Sequence, residues 1–98
     1  ESVTGLKIRN VKNDSESVIR TDGVFIAVGL VPNTERFQEL VALDKGGYII
    51  AGEEGITQTP GVFAAGDIRT KKLRQVVTAV ADGANAVASA QHYLMTNK

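Results

Sequence analysis

Apolar residues fall in short runs over most of the chain and in one long stretch near its end. Val3, Leu6 and Ile8 alternate with Thr4, Lys7 and Arg9, and Ser17-Val18-Ile19-Arg20 follows the polar cluster Lys12-Asn13-Asp14-Ser15. Two short runs flanking a polar turn predict a β-hairpin. After Thr21-Asp22-Gly23, the run Val24-Phe25-Ile26-Ala27-Val28 is continuously apolar and ends at Gly29. That pattern predicts a central strand buried on both faces. Pro32 holds Val31 extended, and Thr34 is placed to cap a short helix that begins at Glu35 and carries Phe37, Leu40 and Val41 at helical spacing. Lys45-Gly46-Gly47 ends that helix, Tyr48-Ile49-Ile50 is a candidate strand, and residues 52–55 form a turn. Pro60-Gly61 marks another turn, before the apolar Val62-Phe63-Ala64-Ala65. Residues 74–95 hold no proline and are rich in Ala and Val, which predicts one long helix. Its expected buried face is Val76, Val77, Val80, Ala84, Val87, Ala88 and Tyr93. Gly83, costly inside a helix, is expected to permit a close backbone approach.

Composition narrows the class. With 98 residues the chain is one small domain at most, and 43% hydrophobic and 22% charged residues are ordinary for a folded soluble protein. Eleven basic and eleven acidic side chains cancel. No long-range field is left to grip nucleic acid, so no nucleic-acid partner is expected. Nothing in the sequence reads as a membrane span or a secretion signal, so the expected location is cytoplasmic. The absence of cysteine removes disulfide, thiolate-metal and sulfur redox chemistry from this chain. A single histidine, His92, is poor material for a zinc site or a Ser-His-Asp triad, and is expected to be partly exposed near the helix end. No metal site is expected.

The candidate chemistry lies around Gly66-Asp67. A short strand ending in Gly-Asp delivers a carboxylate to a strand's carboxyl end, where open α/β sheets bind ligands, and Gly66 lets the backbone approach closely. An ordinary capping Asp67 has the same local signature. Arg74-Gln75-Val76 open the long helix, whose unpaired N–H groups and positive dipole end favour anionic or electron-rich groups; a solvated first turn is the simpler alternative. Arg69, Lys71 and Lys72 read as a solvated basic loop.

Four segments in order carry a family likeness: Asp22-Gly23-Val24-Phe25-Ile26-Ala27-Val28-Gly29-Leu30-Val31-Pro32-Asn33-Thr34, Gly47-Tyr48-Ile49, Thr59-Pro60-Gly61-Val62-Phe63-Ala64-Ala65-Gly66-Asp67, and Arg74-Gln75-Val76-Val77-Thr78-Ala79. Over essentially its whole length the chain resembles the C-terminal third of bacterial thioredoxin reductases. The resemblance implies an α/β fold: an incomplete two-dinucleotide-binding-domain flavoprotein fold, strands plus one long C-terminal helix. It places residues 1–33 at the end of an NADPH-binding domain and residues 34–98 in the returning segment of an FAD-binding domain. It implies that Asp67 accepts a hydrogen bond from a hydroxyl of the FAD ribityl chain, with Gly66 admitting the cofactor. Arg74, Gln75 and Val76 then meet the pyrimidine edge of the flavin, and Ala27, Val28 and Gly29 run beside the NADPH site.

The whole enzyme implied by this resemblance passes a hydride from NADPH to FAD, and electrons then to a Cys pair and to the disulfide of thioredoxin. The Gly-rich phosphate fingerprints and the Cys pair of that family do not occur in these 98 residues. The chain alone is therefore expected to be inactive. The flavoprotein component of alkyl hydroperoxide reductase and the ferredoxin–NADP reductases have similar segments and are alternatives. A non-enzymatic α/β fragment that self-associates through unpaired strand edges, as a homodimer or larger species, is another.

Overall fold

A computed structural model describes residues 2–97, and the chain divides into two compact units between Leu30 and Val31. The first holds the hairpin. Strand β1 (Leu6–Arg9) pairs antiparallel with β2 (Glu16–Ile19), with Leu6 opposite Ile19 and Arg9 opposite Glu16. Asn10 closes the turn: its side-chain oxygen accepts the Lys12 N–H at 2.9 Å and its carbonyl accepts the Asp14 N–H at 2.8 Å. Asp14 adopts φ 55°, a left-handed conformation that Asp tolerates.

The strand expected over residues 24–28 does not form. Phe25 is 97% exposed and Val28 91%, and residues 24–29 make no ladder hydrogen bond among the described residues. A doubly covered strand needs a neighbour on each edge and a layer on each face, and an apolar run supplies neither by itself.

In the second unit a 3-10 turn, Glu35–Phe37, stands where the short helix is expected. Thr34 is its N-cap residue, but the side chain makes no capping bond. Its hydroxyl donates to the Gly47 carbonyl at 2.6 Å, and the residue is 2% exposed. The predicted strands at residues 48–50 and 62–65 shrink to single bridges, Leu43 with Ile49, Ile49 with Arg69 and Ile56 with Phe63. Turns follow too closely for pairing to extend. One of them brings chains so near that a Cβ on Gly55, at φ +70°, would lie 2.7 Å from the Ala64 carbonyl oxygen. Val41, Ile49, Ala51 and Ala64 form the core, flanked by Leu43, Val62 and Ile68.

Helix α1 (Val76–Thr96) forms as predicted, beginning two residues later because Gln75 is extended and serves as the N-cap. The Thr78 hydroxyl accepts the Gln75 N–H at 3.1 Å, satisfying one donor at the helix entry. The buried face, however, is not the valine face. Val76, Val77, Val80 and Val87 are exposed, as are Ala84 and Ala88, and only Tyr93 of the expected set is half-buried. The inward face is Ala79, Asp82, Ala86, Ser89, Ala90 and Tyr93, again at helical spacing. It docks on irregular backbone rather than on a sheet. Asn85 Nδ2 donates to the Glu53 carbonyl at 3.2 Å, and Ser89 Oγ donates to that of Glu54 at 2.8 Å. The Tyr93 ring packs edge-on against Phe63, with ring centroids 6.1 Å apart. Short and polar side chains suit a surface of carbonyls; branched valines do not. Gly83 makes no close approach either, for a Cβ there would meet nothing within 4 Å.

The strongest tie between α1 and the rest of this unit is ionic. Asp82 and Arg69 are each 5% exposed. Arg69 grips the carboxylate with both arms, Nε to Oδ2 and Nη2 to Oδ1, each at 2.7 Å. Lys71 Nζ at 2.8 Å and the Gly66 N–H at 2.9 Å also reach Oδ2. The remaining Arg69 nitrogen donates to the Thr70 carbonyl at 2.9 Å and that of Ala51 at 3.4 Å. The hydrogen bonds from Arg69, with those of Lys71 and Gly66, outweigh burial and hold the Asp82 carboxyl well below the usual carboxylate range. Arg69 and Lys71 are thus buried partners, not a solvated loop.

Two outcomes follow for stability. Asp82→Asn leaves two buried cations without their counter-charge and is expected to cost about 3–5 kcal/mol, read as a lowered denaturant midpoint. In the unfolded chain this carboxyl titrates near ~3.9, so the unfolded state takes up its proton first as pH falls. The stability that Asp82 contributes is fully present above that pH and drains away below it, and acid unfolding followed by circular dichroism should lose this component in the Asn variant. Gly83→Ala should instead stabilise, by up to about 1 kcal/mol, because the site has room for a methyl and the helix gains propensity. A raised melting temperature would show it.

Candidate functional site

The residues singled out around Asp67 converge on one short turn and the start of α1. Ala65 is extended at φ −137°, ψ 154°, and the chain then turns sharply through the 3-10 turn Gly66–Ile68. Gly66 sits at φ +82°, where a side chain would be strained, and the Ala79 methyl of α1 lies 3.8 Å from where its Cβ would be. Glycine is favoured here by conformation; within this chain a methyl at this position would make only ordinary contact with Ala79.

Asp67 itself is exposed, and its carboxylate has no hydrogen-bond or ion-pair partner among the described residues. Its backbone is tied down on both sides. The preceding amide, Gly66 N–H, donates to Asp82, and the Asp67 carbonyl accepts from Arg74 Nε at 3.1 Å. A second nitrogen of Arg74 reaches the Arg69 carbonyl at 3.2 Å, while its guanidinium plane lies 3.8 Å from the centre of the Tyr48 ring. Arg74 is therefore half-buried and occupied, rather than part of a solvated first turn. It precedes the helix and braces the turn.

Gln75 and Val76 stand at the helix entry, both exposed, Val76 at 84%. The positive end of a 21-residue helix thus opens beside the braced turn. What the arrangement offers chemically is one free carboxylate acceptor and one electropositive helix end, on a backbone with little freedom left. Ala27, Val28 and Gly29 belong to the other unit and are exposed, with a bend at Val28 and Gly29 at φ +89°.

Sequence reasoning misses Asp82, although a signal is present. Among residues 76–96 it is the only Asp, Glu, Lys or Arg, and an isolated charge in a small-residue helix usually has a buried partner. The apolar pattern places Tyr48 only in a strand. Its N–H donates to Asp44 Oδ1 at 2.9 Å, which fixes the loop that presents the ring to Arg74. His92 is exposed and lines a cavity with Glu53, Glu54, Asn85 and Ser89. Among the described residues no group of three His, Asp or Glu side chains is placed to hold a metal, and no helix is long and apolar enough to cross a membrane.

Comparison with known proteins identifies the family. The profile of pyridine nucleotide-disulphide oxidoreductases matches residues 1–83. A thioredoxin reductase of Listeria monocytogenes is 51% identical over 94 residues, covering 96% of this chain and 30% of that protein. An alkyl hydroperoxide reductase component of Staphylococcus epidermidis is 36% identical over 95 residues, covering 97% of the chain and 19% of its own length. Among solved structures, Lactococcus lactis thioredoxin reductase superposes with TM-score 0.81 at 38% identity, and that of Streptococcus pyogenes with 0.76 at 42%. The superpositions cover 95% and 97% of this chain, and 31% of each of those proteins. The chain therefore spans about a third or less of the proteins it matches. Its hairpin, linked turns and long helix are part of the α/β flavoprotein fold of thioredoxin reductases, and the chain belongs to the pyridine nucleotide-disulphide oxidoreductase family.

Proposed function

We propose that the chain is the C-terminal part of an NADPH-dependent FAD flavoprotein that reduces the disulfide of thioredoxin. Residues 1–33 close its NADPH-binding domain and residues 34–98 return to its FAD-binding domain. The observation that carries this reading is the unpartnered Asp67 carboxylate on a turn tied down at the Gly66 N–H and the Asp67 carbonyl. An acceptor held this way suits a hydroxyl of the FAD ribityl chain, and Gly66 leaves the approach open. The entry of α1, with Gln75 and Val76 exposed, suits the electron-rich pyrimidine edge of a flavin. Arg74 contributes by bracing Asp67. FAD, when bound, supplies the two-electron relay between NADPH and a disulfide.

The exposed backbone at Ala27, Val28 and Gly29 makes no backbone hydrogen bond among the described residues and suits contact on the NADPH side. A chain without cysteine leaves the thiol chemistry to other parts of the enzyme. The exposed valines of α1 and the apolar residues 24–28 are then the surfaces those parts cover. A cytoplasmic location accords with this role. The likeness to the alkyl hydroperoxide reductase component supports a second reading, in which the same flavin site serves a different disulfide acceptor.

The test is a chimera of the Listeria monocytogenes thioredoxin reductase in which this chain replaces the matched segment. The chimera is expected to purify with FAD and to reduce thioredoxin with NADPH. Asp67→Ala should weaken its FAD affinity about 10- to 100-fold, the range for a lost charged hydrogen bond. A folded chimera that never retains FAD overturns the flavin reading, and FAD retention without thioredoxin reduction favours the second acceptor. By itself the chain is expected to sediment as a dimer or larger species, since its apolar surfaces lack their cover. A monomer at every accessible concentration would argue against those surfaces being sticky.

A further inference from the structure

The ionic cluster around Asp82 exceeds what holding a helix in place requires. Arg69 alone satisfies the carboxylate in a two-armed pair, yet the Lys71 side chain is also buried against it, although taking a second cation out of water is costly. The three donors to Oδ2 come from Gly66, Arg69 and Lys71, which bracket Asp67 in the chain. On the far side Arg74 holds the Asp67 and Arg69 carbonyls while it stacks on Tyr48. These polar contacts of the loop point inward, to α1 or to its own backbone, and leave the Asp67 carboxylate facing out.

We infer that Asp82 is a positioning residue: through the Gly66 N–H and the cations Arg69 and Lys71 it locks the turn that presents Asp67 to its ligand. The inference rests on the proposed flavin site, and it adds a residue outside contact with the cofactor. A turn with its backbone free would have to be ordered at the moment of binding, and the affinity would fall by that cost. With the turn already fixed, the carboxylate meets a hydroxyl without reorganisation. Asp82 acts from α1, the element whose N-terminus faces the same ligand, so one carboxylate sets the turn and the helix entry in register.

Two measurements test this. In the 98-residue chain, NMR should show the Gly66 amide proton moving upfield and exchanging faster in Asp82→Asn, while hairpin amides keep their shifts. In the chimeric flavoprotein, Asp82→Asn and the milder Lys71→Met, which leaves the Arg69–Asp82 pair intact, are each expected to weaken FAD binding, by about tenfold and several-fold respectively. The decisive reading is a double-mutant cycle. With Asp67 already replaced by Ala, each substitution should weaken FAD much less than it does with Asp67 present, because only the helix entry remains to be positioned. Equal losses in both backgrounds would reduce Asp82 to a structural residue and overturn the inference. An unaltered Gly66 amide in the Asn variant would do the same. If Asp82→Asn does not fold, Lys71→Met carries the cycle. A chimera without FAD defeats the proposed function, and the flavin part of this inference with it, whereas the amide shift still reports on the lock itself.

Discussion

One buried carboxylate organises the second unit. Asp82 accepts hydrogen bonds from a backbone amide, an arginine and a lysine, all on the loop between residues 66 and 71. That loop forms one short 3-10 turn and pairs with Ile49 through a single bridge, which leaves its Gly66 end and its cations to find partners elsewhere. An apolar residue at position 82 would leave the Gly66 amide and two cations unpaired beneath the helix. The carboxylate is thus less a stabilising addition than a condition for docking this loop at all. Its cost in desolvation is offset because the acceptor is engaged at both oxygens.

That constraint explains the two-faced character of α1. The side against the loops must come close to carbonyls and to a glycine turn, so it is built from Ala, Ser and Asp with Tyr93 at its end. The valines are displaced to the other side and remain exposed, together with Leu94 and Met95. In an isolated globular domain such an arrangement would be inverted. The chain matches about a third or less of its relatives' length, and on the proposed function this apolar face is one that other parts of the enzyme cover. The run at residues 24–28 likewise has the composition of an interior strand and is exposed.

The hairpin, the long helix, the glycine turn and the exposed carboxylate of Asp67 are legible from local pattern, because each depends on neighbours a few residues away. Periodicity sets the extent of α1 to within two residues of its start. The short strands are legible only as apolar runs. Whether such a run pairs is decided by distant segments, and the bridges at Ile49, Ile56 and Phe63 are all that this chain's turns permit. The family likeness is readable from four ordered motifs, whereas the interactions that hold those motifs in shape are not.

Sequence alone therefore determined where the chain turns, where it is helical and which residues carry the family's signature, since these follow from backbone preferences and spacing. Tertiary structure decided which face of α1 is inside, that Arg69 and Lys71 are buried, and that Arg74 braces a turn. The physical reason is that burial of a charge is settled by its partner. Asp82 lies 13 residues from Arg69, and nothing local to either foretells that each is the other's counter-ion.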